Sequence, residues 1–278
     1  MCRVLNVSRQ GYRKNQESLN KPPKHANLLA EIQAIIEEDT YNDRYGRERI
    51  HDALVLRGIT VSLSTVYRVC AEDGVLKGKR KPKGLTAADR EAQKSDDLVH
   101  RDFKADAPYE KFVSDITQLP TKDGPLYISG VFDCFDNMCV GLSMADNMRT
   151  PLVIESLKAV INEKIGVQAA IFHTDRGSQY TSLEFRAFIG KTGMKQSMNS
   201  AGGRCHDNAK CESMWARFKE EAIYGRYDTK SMAMETVKTL VFRYFMGYWN
   251  NRRICHAIGG VPPALKRKRF YDAIALPA

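Results

Sequence analysis

Between residues 26 and 39 the apolar side chains Leu28, Leu29, Ile32, Ile35 and Ile36 return every three or four positions, the spacing of one face of an amphipathic helix. Ile50, Ala53 and Leu54 repeat the pattern and predict a second helix over about 46–57. Gly58 ends it, since its freedom at positive φ suits a helix terminus. After the Gly58-Ile59-Thr60 turn, Ser62 or Ser64 is placed to cap a third helix that runs to about Glu72. Val66, Val69 and Cys70 face inward there, with Tyr67 and Arg68 on the flanks. Helix, short glycine turn, helix is the geometry of a helix-turn-helix. Ahead of it, Arg3, Arg9, Arg13, Lys14, Lys21 and Lys24 stand against Glu17, which predicts a basic arm or a short lead-in helix.

The period changes near residue 111. Runs at 111–119 and 126–133 read as strands joined through Asp123-Gly124, a hairpin signal, and 138–145 as a third strand after the Asp136-Asn137 turn. Thr150 and Pro151 open a helix whose buried stripe is Leu152, Val153, Leu157, Val160 and Ile161, ended by Gly166. A short apolar strand at 169–172 leads into His173-Thr174-Asp175. Helices are expected at 182–191, 208–224 and 230–249, with a strand at Lys195–Met198 and a glycine loop from Asn199 to Gly203. Val237, Leu240, Val241, Tyr244 and Tyr248 form a core stripe on the last helix. Three strands, a helix and a further strand make an α/β sheet with acids at strand ends. The expected division is an arm at 1–25, a helix-turn-helix domain at 26–84, a linker at 85–105, an α/β core at 106–225, and a C-terminal helix and basic tail at 226–278 packing on the core. The tail run at 266–269 is either a DNA contact or a disordered end.

Charge narrows the partners. The formal net charge is +10 and the pI about 9.2, so the chain attracts polyanions, nucleic acid first. The run at 77–83, with Lys79, Arg80 and Lys81, is placed to track a phosphate backbone, to serve as a solvated linker, or both. The seven cysteines are odd in number and widely spread, in a chain without a secretory signal or membrane-spanning apolar run, so a reduced cytoplasmic protein is expected. Cys205, His206 and Cys211 match no usual zinc-finger spacing.

Three carboxylates stand in distinctive settings: Asp115 in FVSDITQL, Asp175 in HTDRGSQY and Glu212 in GGRCHDNAKCESMWARFKEE. Each comes from a different element. Carboxylates converging in this way suit two Mg2+ or Mn2+ ions beside a phosphodiester, because these ions prefer oxygen ligands. Asn208 lies one helical turn before Glu212 and Lys219 two turns after it, so the three share a face. Lys219 is then a contact to the phosphate of the transferred strand, or a solvated lysine beside Glu220 and Glu221. His173 either orients Asp175 or is a satisfied core histidine.

The ordered motifs MCRVLNVSRQGY, DRYGRERIHDALVLRGITVSLSTVYRVC, SDITQL, HTDRGSQYTS, DNAKCES with FKEE, and YWNNRRICHAIGGVPPA closely resemble those of bacterial insertion-sequence transposases of the insertion sequence three type. More narrowly, they resemble the catalytic second-reading-frame protein, a relative of retroviral integrases. The resemblance spans nearly the whole chain. It implies an RNase H-like integrase catalytic core preceded by the all-α helix-turn-helix domain, with a DDE triad at Asp115, Asp175 and Glu212. The activity implied is nicking at element ends, followed by attack of the freed 3′-hydroxyl on a second phosphodiester. The partners implied are terminal inverted repeats and target DNA, further copies of the chain, and the product of an upstream frame as a fusion, all at the bacterial nucleoid and none in a membrane. Here 176–211 separate the second Asp from the Glu, one residue more than the family pattern, and His206 replaces its Trp. The alternatives are a catalytically inert DNA-binding relative and an RNase H-fold nuclease that hydrolyses without joining.

Overall fold

The computed structural model describes residues 7–19, 25–76, 96–100, 102–162, 166–199 and 209–275. The chain folds as two units, residues 1–77 and 78–278. The first is helical: α1 (Arg9–Leu19), α2 (Ala26–Glu37), α3 (Arg47–Leu56) and α4 (Leu63–Glu72). Ile32, Ile35, Ile50, Leu54, Val66, Val69 and Cys70 are all buried, so the apolar stripes read from the sequence meet in one core. Of the two candidate caps it is Ser62 that closes α4, its Oγ accepting from Thr65 N–H. One element went unforeseen, a 3-10 turn at Thr40–Arg44. It is held by polar side chains rather than an apolar period: Asp39 accepts from Tyr41 N–H, and buried Asn42 donates to the carbonyl of Ile35 at 2.8 Å.

The second unit is built on five strands, β1 (Lys111–Thr121), β2 (Gly124–Asp133), β3 (Cys139–Ala145), β4 (Ile171–Thr174) and β5 (Lys195–Met198), in the order β3-β2-β1-β4-β5. The first three form the antiparallel meander, and β4 and β5 run parallel to β1. On one face lie α5 (Thr150–Asn162), the short α6 (Ser178–Thr181) and α7 (Leu183–Gly190), over a core that includes Phe112, Val131, Val153, Leu157, Phe172 and Phe185. Gly141 makes the close approach of α5 possible, since a Cβ there would lie 2.1 Å from the carbonyl oxygen of Ser156. On the other face α8 (Ala209–Phe218) packs Trp215 against Phe132, with ring centroids 5.5 Å apart.

Both long helices expected near the C-terminus are interrupted. α8 passes into a π-helix at Lys219–Ile223, and α9 (Met234–Phe242) into another at Arg243–Trp249. A buried polar cluster links the two π turns. Glu221 accepts from Arg253 Nε and Nη2, both at 2.8 Å, and from Tyr244 Oη at 2.7 Å, while the guanidinium lies 4.4 Å from the Trp249 ring centroid. The wider π turn re-aims Glu221 relative to an α-helix. Tyr244, Phe245, Tyr248 and Trp249 are buried, in keeping with a core stripe.

The basic tail is neither a disordered end nor wholly a DNA-facing surface. It lies within α10 (Pro263–Ala275), and Arg267 is buried against Asp133 and Asp136, at 2.8 and 2.6 Å, and against Tyr109 Oη. Lys266 donates to the carbonyl of Phe135, Lys268 pairs with Asp272, and Arg269 is exposed.

Candidate active site

The register of the two central parallel strands sets the site. Ser114 of β1 lies beside Thr174 of β4, so the next residues, Asp115 and Asp175, emerge side by side. Across the antiparallel pair Asp115 faces Gly130 of β2, on the side of the sheet that α8 covers. A Cβ at Gly130 would come within 2.9 Å of the Trp215 ring. The missing side chain thus lets α8 settle next to Asp115, with Glu212 in its first turn. Glycine here serves close packing, a role that alternation alone does not reveal.

Each aspartate takes one backbone N–H on its Oδ1: Ile116 donates to Asp115 at 2.8 Å and Gly177 to Asp175 at 3.0 Å. Burial pushes the carboxyl of Asp115 well above the usual carboxylate range, and the nearby charges of Asp175 and then Glu212 push the same way. The Ile116 N–H and the Lys219 ammonium oppose them. Asp175 is also raised by burial, against the Gly177 N–H and His173. The structure therefore brings Asp115, Asp175, Glu212 and Lys219 within electrostatic reach of one another. Among the described residues no three His, Cys, Asp or Glu side chains are close enough to enclose an ion as folded. Glu212 is exposed in the first turn of α8.

Lys219 is not the solvated lysine of the simpler reading. It is partly buried, and desolvation lowers its pKa while Asp115 raises it. His173 is buried, with Nδ1 2.9 Å from Ser197 Oγ and Nε2 3.0 Å from Asn199 Oδ1, so it is a satisfied core histidine that also borders Asp175. Tyr180 is fully buried under the site with its hydroxyl 3.0 Å from Ser114 Oγ, and nothing but its place in HTDRGSQY marks it beforehand. Arg68 is exposed on α4, its Nη2 3.1 Å from His25 Nε2. Asn208, Lys79, Arg80, Lys81, Cys205 and His206 lie outside the described residues.

A mixed sheet with paired acids at adjacent strand positions, and a third acid on a crossing helix, has the architecture of an integrase-type core. Residues 105–204 match the family model described as integrase core domain, and 24–84 match the HTH-like domain. The transposase for insertion sequence element IS629 of Shigella sonnei is 30% identical over 99% of this chain and 92% of its own length. Transposase InsF for insertion sequence IS3A of Escherichia coli K12 is 30% identical over 95% and 91%. The HTLV-2 integrase catalytic core domain in complex with magnesium is similar at 12% identity and a TM-score of 0.43, covering 59% of this chain and 99% of that one. The chain belongs to the IS3 family of insertion-sequence transposases. It is thus a DDE polynucleotidyl transferase, and its HTH-like domain implies DNA as partner. No helix among the described residues is long and apolar enough to cross a membrane.

Proposed function

We propose that Asp115, Asp175 and Glu212 are the triad of this transposase and hold two divalent metal ions, Mg2+ or Mn2+, between them. The observation that carries the reading is the side-by-side emergence of Asp115 and Asp175 from parallel strands, with the charge of Glu212 felt at Asp115. The donor set fits such ions: all three residues offer oxygen, and burial with mutual repulsion leaves the acids short of positive charge. Bound there, the ions would activate the attacking oxygen and stabilise the leaving oxygen of an in-line displacement. The protein's own part is positional. β1 and β4 fix the aspartates, the Gly177 N–H orients Asp175, and Lys219 offers its ammonium to a phosphate beside the reacting bond.

Water opens the element end, and the freed 3′-hydroxyl then joins a second strand. Arg68 and the Lys79, Arg80 and Lys81 run are proposed backbone contacts for the terminal repeats and target, with Asn208 and His173 supporting the triad. Copies of the chain assemble on DNA, and a fusion with the upstream frame's product is the working form, bound at the nucleoid. The test is incubation of the full chain with labelled duplexes carrying the element ends, with Mg2+ or Mn2+. Joined product is expected. Nicked product without joining would mark a hydrolytic nuclease, and intact duplex an inert DNA-binding relative.

A further inference from the structure

Two residues before Glu212, Lys210 makes a pair of contacts that the triad does not account for. Its ammonium donates to the carbonyl oxygen of Cys134 at 2.9 Å and to that of Phe103 at 3.3 Å. One carbonyl belongs to the turn after β2, the other to the segment leading into β1. A lysine at the start of a helix ordinarily extends into water and keeps its rotamer freedom. This one is partly buried and spans two separate pieces of chain.

The turn it grips is itself fixed from the C-terminal side. Lys266 donates to the Phe135 carbonyl, Trp249 Nε1 to the Asn137 carbonyl at 2.8 Å, and Arg267 binds Asp133 and Asp136. Lys210 therefore holds onto a rigid anchor. Residues two apart on a helix point to nearly opposite sides, and Cys211 between them is fully buried. Anchoring Lys210 on one side thus sets the rotation of the first turn of α8 and decides where Glu212 points on the other.

We propose that Lys210 is a positioning residue for Glu212, acting through its two carbonyl contacts to present the third carboxylate to the metal site. The proposal rests on Glu212 being a metal ligand. Supporting partners of this kind change metal affinity by about 10–100-fold when removed. The test is Mn2+ binding to the full chain without DNA, followed by electron paramagnetic resonance of the free ion, for Lys210→Met, Lys210→Arg, Glu212→Gln and the Lys210→Met/Glu212→Gln double variant. Lys210→Met is expected to weaken binding about tenfold. Lys210→Arg should recover part of the loss, because it keeps a cationic donor. In the Glu212→Gln background Lys210→Met should add nothing, since both changes remove the same contribution.

Wild-type binding by Lys210→Met alongside weak binding by Glu212→Gln would overturn the positioning role and leave the triad intact. Wild-type binding by Glu212→Gln would instead overturn the triad reading beneath it. Additive losses in the double variant would show that Lys210 supports the fold generally, which also overturns the proposal, even where Lys210→Met lowers the melting temperature.

Discussion

At the end of β2, Asp133 and Asp136 are fully buried and closed off by Arg267, whose guanidinium reaches both and Tyr109 Oη as well. Backbone N–H groups of Tyr109, Phe135 and Met138 take most of the remaining acceptor positions. Asp115 and Asp175 stand on the same sheet with one backbone donor each on Oδ1 and the Lys219 charge nearby. The first pair carries its counterion within the chain and has become structure. The second, proposed above as part of the metal site, is disfavoured in its charged form by burial, with the Lys219 ammonium opposing this at Asp115.

The widest separation between the pairs should come from replacing each acid of the triad by its amide. Asp115→Asn, Asp175→Asn and Glu212→Gln should each lower nicking and joining on the order of 10⁴-fold, equivalent to ~5.5 kcal/mol of barrier. Melting temperature and DNA binding should hold, because removing a repelled charge relieves the folded state. Wild-type cleavage by any one variant in the labelled-end assay removes that residue from the site.

Arg267→Met should do the reverse. It leaves Asp133 and Asp136 buried without their counterion, a loss of about 3–5 kcal/mol. Urea unfolding measures this, and a midpoint within error of wild type would show that the guanidinium contributes nothing net.

A pH series sharpens the contrast. Burial, then the charge of Asp136, pushes Asp133 up to about 6, above the ordinary unfolded carboxylate value. A folded pKa above the unfolded one means that stability is fully present below the unfolded value and falls as pH rises through the folded one. For Asp133 that window runs from about 4 to about 6. Asp115 and Asp175 are raised in the same sense, so they too lose stability on ionising. Added Mg2+ should restore the melting temperature lost at Asp115 and Asp175, while the Asp133 window should persist with Mg2+ and vanish in Asp133→Asn. A Mg2+ response that survives Asp115→Asn unchanged would place the ion elsewhere.

The smallest effect expected is that of Lys219→Ala. Joining should fall roughly tenfold, ~1.4 kcal/mol, with little loss of stability, because burial disfavours the ammonium by more than Asp115 favours it. Equal activity across a salt series would make it a packing residue.

Much of this contrast was legible in the sequence on one side and invisible on the other. The proposed triad acids stand out because Asp115 lies within an apolar strand, Asp175 just past another and Glu212 near the start of an amphipathic helix, and β5 is found at the expected Lys195–Met198. Local pattern carries that information. Arg267 lies 131 and 134 residues from its partners and reads as one more charge in a basic tail. The polar cluster beside the π turns is equally non-local, since its Glu221 and Arg253 are 32 residues apart. Gly130 carries meaning only once Trp215 is known to stand over it.

The Arg267 brace also sets a clock. Synthesis proceeds at about 5–20 residues per second, so after Asp133 leaves the ribosome roughly ten seconds pass before Arg267 can reach it. Until then Asp133 and Asp136 have no Arg267 to pair with, and the turn that Lys210 contacts lacks that brace. The braced form of this turn is therefore available only after the strands it joins have been synthesised.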